Sequence, residues 1–484
     1  MSRVSKSRLS FTAFLFLVAS SAAAQITIQG GSLEQDKPAA PQEPDHPPQL
    51  SMEFKMTPGE AAHLLASVDE VLAMDSKITG LPIRGSVERK MTSRAEIKEL
   101  ASKRMQDSSI AETVQRSSAV LMKFGLLPRD FNVQQYATET TVNQLAGYYD
   151  PRVKTMYLLD WLPADGQLAV LAHELEHALQ DQNFHLEEWL KKDDPTANVA
   201  TGGDSSEQKA ARRAVVEGQA TAVMLEYVLS KQGRSLTDLP VIPPERLQAF
   251  AERFTNSQTT QSVPLMLREE MVFPYIYGFT FVHQVLLKGG REQAYSGLFK
   301  RPPESTRQIL EPGTYLAHEK LLPLALPPFD GVLGSKYQKI ESGSMGEFDC
   351  MTLMKQFNSP NAHELAASWR GDYFYATQRV PKSADTAKPA TANPLRPEDV
   401  SLIFVSRWAT RAAARQFAAF YIGAVPQRYS NPQRVDQTAE NASWNTSEGR
   451  VAVEVHGNLV IALESFEAQT ASQITAAVLK ADIQ

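Results

Sequence analysis

Ala172-His173-Glu174-Leu175-Glu176-His177-Ala178-Leu179-Gln180-Asp181-Gln182 is the most informative segment of this 484-residue chain. It carries an HExxH pattern where a helix is expected. Residues four apart on a helix lie one above the other, so His173 and His177 project from the same side. Two imidazoles in that relation can each give one nitrogen to a Zn2+ at about 2.0–2.1 Å. Glu174 sits roughly 100° round the helix from His173, close enough to hold a water without taking a ligand position. Leu168, Leu171, Leu175 and Ala178 recur at helical spacing on the opposite side. One face therefore enters a core and the other presents the histidines to a cleft. The pattern predicts a helix from about Gly166 to Gln182, with Asp165 as its cap and Pro163 just outside.

Catalytic zinc usually has three protein ligands plus water, so two histidines leave the set incomplete. A second helix is expected from about Ser205 to Lys231, capped by Asp204. Its middle, Ala214-Val215-Val216-Glu217-Gly218-Gln219-Ala220-Thr221-Ala222-Val223-Met224-Leu225, is apolar nearly all round, as in a buried helix. Glu217 is the only charge there, and a buried carboxylate is paired or metal-bound. It serves either as the third ligand or as the partner of Arg213, four residues earlier. Asp181, His185 and Asp204 are rival ligands. Gly218 costs roughly 1 kcal/mol in a helix interior, which implies close packing, expected from the motif helix. Arg212 and Arg213 are expected to pair with acidic loop residues.

These residues resemble the gluzincin zinc metallopeptidases, whose pattern is HExxH followed by a glutamate ligand on a later helix. The resemblance covers about residues 85–315. It implies one Zn2+ held by His173, His177 and Glu217, with Glu174 as the base that takes a proton from water and passes it to the leaving amine. It also implies a peptide or protein substrate. The implied fold is α+β: a mainly helical zincin-like domain with a small edge β-hairpin or sheet. Residues 146–152 and 155–159 read as two strands around an Asp-Pro turn, where gluzincins hold extended substrate on an edge strand. Glu217 follows His177 by 40 positions, a longer gap than in thermolysin-like members. The polar insert from Lys191 to Ser206 accounts for it as a loop. Gluzincins often set a Tyr or His opposite the zinc. Tyr275, and His283 on an expected helix from Gly278 to Leu287, are the candidates, each with the alternative of a core role.

Beyond this region, residues 1–24 read as a secretory signal: Arg3, Lys6 and Arg8, then an apolar run, then Ala22-Ala23-Ala24. A secreted or periplasmic protein follows, without stable membrane insertion after cleavage. Residues 25–50 read as a Pro-rich flexible linker. The single cysteine, Cys350, excludes an intramolecular disulfide. A net charge of −6 offers no basic field for nucleic acid. Thr57-Pro58-Gly59-Glu60 and Ser93-Arg94-Ala95-Glu96 are capping-box starts. A metallopeptidase domain is expected over 51–345 and a small α+β module over 346–484. The module reads as strand, strand, helix, strand, strand, helix, with Gly457-Asn458 as a hairpin turn. The competing function is a non-catalytic exported zinc-containing protein that binds partners or assists envelope assembly.

Overall fold

The computed structural model describes residues 55–105, 108–136, 147–191, 206–244, 246–247, 263–321, 324–380, 395–438 and 440–482. The expected signal and linker, Asp204, and most of the Lys191–Ser206 and Pro381–Glu398 loops lie outside them. Among the described residues no helix is long and apolar enough to cross a membrane. The class is α+β, as expected.

Both capping boxes form. Thr57 and Glu60 exchange side-chain-to-backbone bonds at the start of α1 (Pro58–Ala66), which is followed by α2 (Val68–Thr79). After β1 (Glu88–Thr92), Ser93 and Glu96 do the same for α3 (Arg94–Met105). Then comes α4 (Ser108–Phe124). The expected hairpin is present as β2 (Tyr148–Asp150) and β3 (Thr155–Leu159), and β1 adds to β3 in parallel. The order β1-β3-β2 leaves β2 as an edge.

The motif helix, α5, runs Ala164–Phe184. It starts one residue before Asp165, and Pro163 occupies the cap. Its apolar stripe, Leu171, Leu175, Ala178 and Leu179, packs with Leu64, Val68, Val71 and Leu72 and with Met156 and Leu158 of β3. The helix behind it, α6 (Ser206–Ser230), is buried over most of its length. The next, α7, spans Leu265–Glu292 and continues into a π turn at Gln293–Gly297, so it begins well before the expected Gly278. Pro274 lies inside it. Gly218 does serve close packing, but against α7 and not the motif helix. A Cβ on Gly218 would stand 2.3 Å from the Gly278 carbonyl, and one on Gly278 would stand 2.2 Å from Ala214 O.

The C-terminal part is built on one antiparallel sheet of order β4-β5-β6-β10-β9-β8-β7. Its strands are β4 (Tyr337–Gly343), β5 (Trp369–Arg379), β6 (Val400–Trp408), β7 (Gln433–Gln437), β8 (Asn441–Thr446), β9 (Gly449–His456) and β10 (Leu459–Glu464). Its longest accompanying helices among the described residues are α8 (Gly346–Gln356), α9 (Arg411–Arg428) and α10 (Ala468–Asp482). Alternate residues of β6 explain its continuous apolar run. Leu402 and Phe404 face the main core with Phe417 and Tyr421 of α9, while Ile403 and Val405 face Ile474 and Val478 of α10. A strand covered on both faces has no polar side. The sheet starts at β4, upstream of the expected boundary at 346. The main core also runs through that boundary, joining Val114 and Phe124 of α4, Val215 of α6, Phe281 of α7, Phe348 of α8, Phe404 and Trp444.

Candidate metal centre

Helices α5 and α6 cross so that His173, His177 and Glu217 meet. One donor atom from each lies within 4.8 Å of the others. Glu217 Oε2 stands 3.3 Å from His173 Nε2 and 3.5 Å from His177 Nε2. Two ligands at about 2.05 Å from a tetrahedral zinc are separated by about 3.4 Å, so these spacings suit a common ion. The imidazole rings stand edge to face, 4.9 Å apart at 89°. Both ring nitrogens of His173 and Oε2 of Glu217 are buried with no hydrogen bond, an arrangement that a buried polar set tolerates when it holds a cation. These three residues can hold a metal ion.

The electrostatics point the same way. Burial opposes the charge on Glu217, yet His177 and His173 hold its carboxyl well below the usual carboxylate range. Burial also opposes charge on His177, but Glu217, Glu174 and the Gln180 acceptor outweigh it and raise the ring to about 9. Burial leaves His173 below its ordinary value. In the absence of an ion the cluster thus draws a proton between its acid and its bases. A divalent cation meets the same demand with more charge.

Glu174 is pushed up to about 7, by burial first and then by Glu217, against the pull of His177 and of a backbone hydrogen bond. That bond comes from Tyr149 N–H on edge strand β2, which donates to Glu174 Oε2 at 2.9 Å. The Tyr149 hydroxyl donates to Asp181 Oδ2 at 3.1 Å, and Leu186 N–H donates to Asp181 Oδ1. Asp181, a rival ligand, is therefore engaged in fastening β2 to α5. His185, the other described rival, takes a left-handed conformation (φ 53°) at the helix end.

Tyr275 lines the site, its ring 6.0 Å from that of His173 and nearly parallel to it. Burial first, then the Glu217 charge, pushes its hydroxyl well up. His283, eight residues further along α7, does not join it. Its Nε2 meets Leu236 O at 3.1 Å and its ring stacks near Phe279, so it is a core histidine. Two turns of helix carry it away from the centre. Arg212 lies over the Trp189 ring and donates to Trp189 O, while the acidic residues of the Lys191–Ser206 loop, expected to pair with Arg212 and Arg213, lie outside the described residues.

The remaining walls of the cleft are Tyr148, Tyr149, Pro151 and Leu186. His173, Glu174, His177 and Glu217 are 2%, 3%, 6% and 1% exposed. The histidine side of the helix lines this cleft, as expected, and is nonetheless buried because α6, α7 and β2 pack round it. Two further residues escaped the sequence reading. Gln180 Oε1 meets His177 Nδ1 at 2.9 Å, and Gln219 bonds Gln180. Their signal was available: an amide one turn past His177, and another among the apolar residues of α6, must find partners when buried.

Residues 335–475 are similar to a domain of unknown function, DUF8575. That stretch takes in all seven strands of the C-terminal sheet and none of the three candidate ligands. No curated protein and no solved structure matches the chain.

Proposed function

We propose that the protein is an exported zinc-dependent peptidase with a zincin-like catalytic domain, cutting peptide bonds within a protein or peptide substrate. The convergence of His173, His177 and Glu217 from two separate helices, at spacings suited to a tetrahedral ion and with orphaned buried donor atoms, carries this reading. Zinc, when bound, supplies Lewis acidity and lowers the pKa of water toward about 7. The protein's own residues do the rest. Glu174, adjacent to the ligands and raised to about 7, accepts a proton from water and returns it to the leaving amine. Tyr149 N–H orients that carboxylate. Tyr275 stands beside His173, where its hydroxyl can donate to the oxyanion that develops at the scissile carbonyl.

The test is cleavage of casein or a quenched peptide by the full chain. Activity that stops with a chelator and returns with zinc supports the proposal. The depth of the site favours a second reading, a non-catalytic zinc protein whose metal is sealed in. Stoichiometric zinc without any cleavage, under conditions where the chain is folded, would select that second reading.

A further inference from the structure

A line of buried amides runs away from the metal centre. Gln180 Oε1 meets His177 Nδ1 at 2.9 Å. Gln180 Nε2 donates to Val216 O at 3.1 Å and to Gln219 Oε1 at 3.0 Å. Gln219 Nε2 donates to Ala294 O at 2.7 Å and Tyr295 O at 3.0 Å. Both glutamines are fully buried, so no water exchanges for these partners. The π turn Gln293–Gly297 carries the two terminal carbonyls, and such turns recur at functional sites.

The direction of this line is set by its far end. Backbone carbonyls only accept, so Gln219 must turn its NH2 toward Ala294 and Tyr295. Its oxygen then faces Gln180, whose NH2 must meet both that oxygen and Val216 O. The oxygen of Gln180 is thereby the atom left for His177. A reversed amide would set oxygen against oxygen at each junction and leave buried donors and acceptors unmade. In the neutral ring His177 Nδ1 must consequently carry the proton, which leaves the lone pair on Nε2, the nitrogen that faces Glu217.

We infer that Gln180 and Gln219 form a directional amide relay that fixes the tautomer of His177 and aims its Nε2 at the metal position. The inference rests on the metal-centre reading for its purpose, though not for its geometry. Outer partners of this kind orient ligand imidazoles. The partner here is a neutral amide, so it orients the ring without adding negative charge to the site. Gln180 and Gln219 are positioning residues.

The test is nitrogen NMR on the full chain labelled with 15N-histidine and loaded with zinc, the His177 signals being assigned by their loss in His177→Gln. The expected result is a slowly exchanging proton on Nδ1 and an unprotonated, metal-bound Nε2. Gln180→Leu should speed exchange of that proton and raise the zinc dissociation constant about 10–100-fold. A proton on Nε2 with Nδ1 bare would overturn the inference, as would unchanged exchange and zinc affinity in Gln180→Leu. If Gln180→Leu does not fold, the wild-type spectrum decides alone. A chain that takes up no zinc defeats the metal-centre reading instead. The relay is then decided on metal-free protein at alkaline pH, where the neutral ring must still show Nδ1–H.

Discussion

At the residue scale, the division of labour in the centre is sharp enough to be separated by substitution. Glu174 is not among the three clustered donors, so Glu174→Ala should keep its zinc while peptide hydrolysis falls about 10²–10⁴-fold. Metal content and turnover measured on one preparation check this, and unchanged turnover would remove Glu174 from the mechanism. Tyr275→Phe should likewise retain zinc and lower kcat about 10²–10³-fold if its hydroxyl meets the oxyanion. A change confined to KM would assign Tyr275 to substrate binding alone. The four residues His173, Glu174, His177 and Glu217 were legible because charge and imidazole in an apolar helix demand a partner. Tyr275 was legible only as one of two candidates, since position along α7 separates it from His283. Gln180 was overlooked because its meaning depends on a carbonyl over a hundred positions away, at Ala294, through Gln219.

At the element scale, the crossing of α6 and α7 holds Glu217, the candidate third ligand, in place. Glu217 adjoins Gly218, whose missing side chain lets α7 approach at Gly278. Gly218→Ala sets a methyl against backbone with nowhere to go, so the helices must part. A loss of about 1–3 kcal/mol in denaturant-induced unfolding is expected, together with weaker zinc binding. Undiminished stability and affinity would show that the crossing can relax without moving Glu217. The sequence announced the close approach but not its partner, because a glycine records proximity and not what is near. Pro274 misled in the other direction. It stands before the expected helix start at Gly278, whereas α7 accommodates it in its interior. Strands β7 and β8 were missed for a different reason. Gln433–Gln437 is exposed throughout, so it has no apolar alternation to read. It forms by pairing with β8 at the sheet edge.

At the scale of the whole molecule, the helices around the candidate metal centre and the C-terminal sheet share a core, and a buried polar knot reinforces the join. Arg428 of α9 bonds both oxygens of Glu464 and also Lys123 O at the end of α4, while Tyr421 and Tyr429 donate to Glu464. Lys123 in turn bonds Glu448 and Ser465. Burial opposes the Glu464 charge, but Arg428 and Lys123 outweigh it and hold the carboxyl below its ordinary range. A depressed folded pKa contributes stability above the unfolded value of about 4.3 and loses it as pH falls through the folded value. Acid unfolding should therefore set in below about pH 4.3 and be blunted in Glu464→Gln. That variant should also be less stable by about 3–5 kcal/mol at pH 7, since Arg428 is left without its counter-charge. Thermal unfolding followed from pH 3 to 7 in both proteins checks the sign, and parallel curves would refute it. The join was invisible in the sequence because each partner is ordinary where it stands, and only the fold brings position 123 to position 464.

The claim beneath all of this is that α5 and α6 hold one zinc between His173, His177 and Glu217. Metal analysis of the purified full chain beside His177→Ala and Glu217→Ala tests it most directly. One zinc per wild-type chain, with affinity lost in both variants, is the predicted result. A wild-type chain that takes up no zinc, or variants that bind it equally well, would contradict the account.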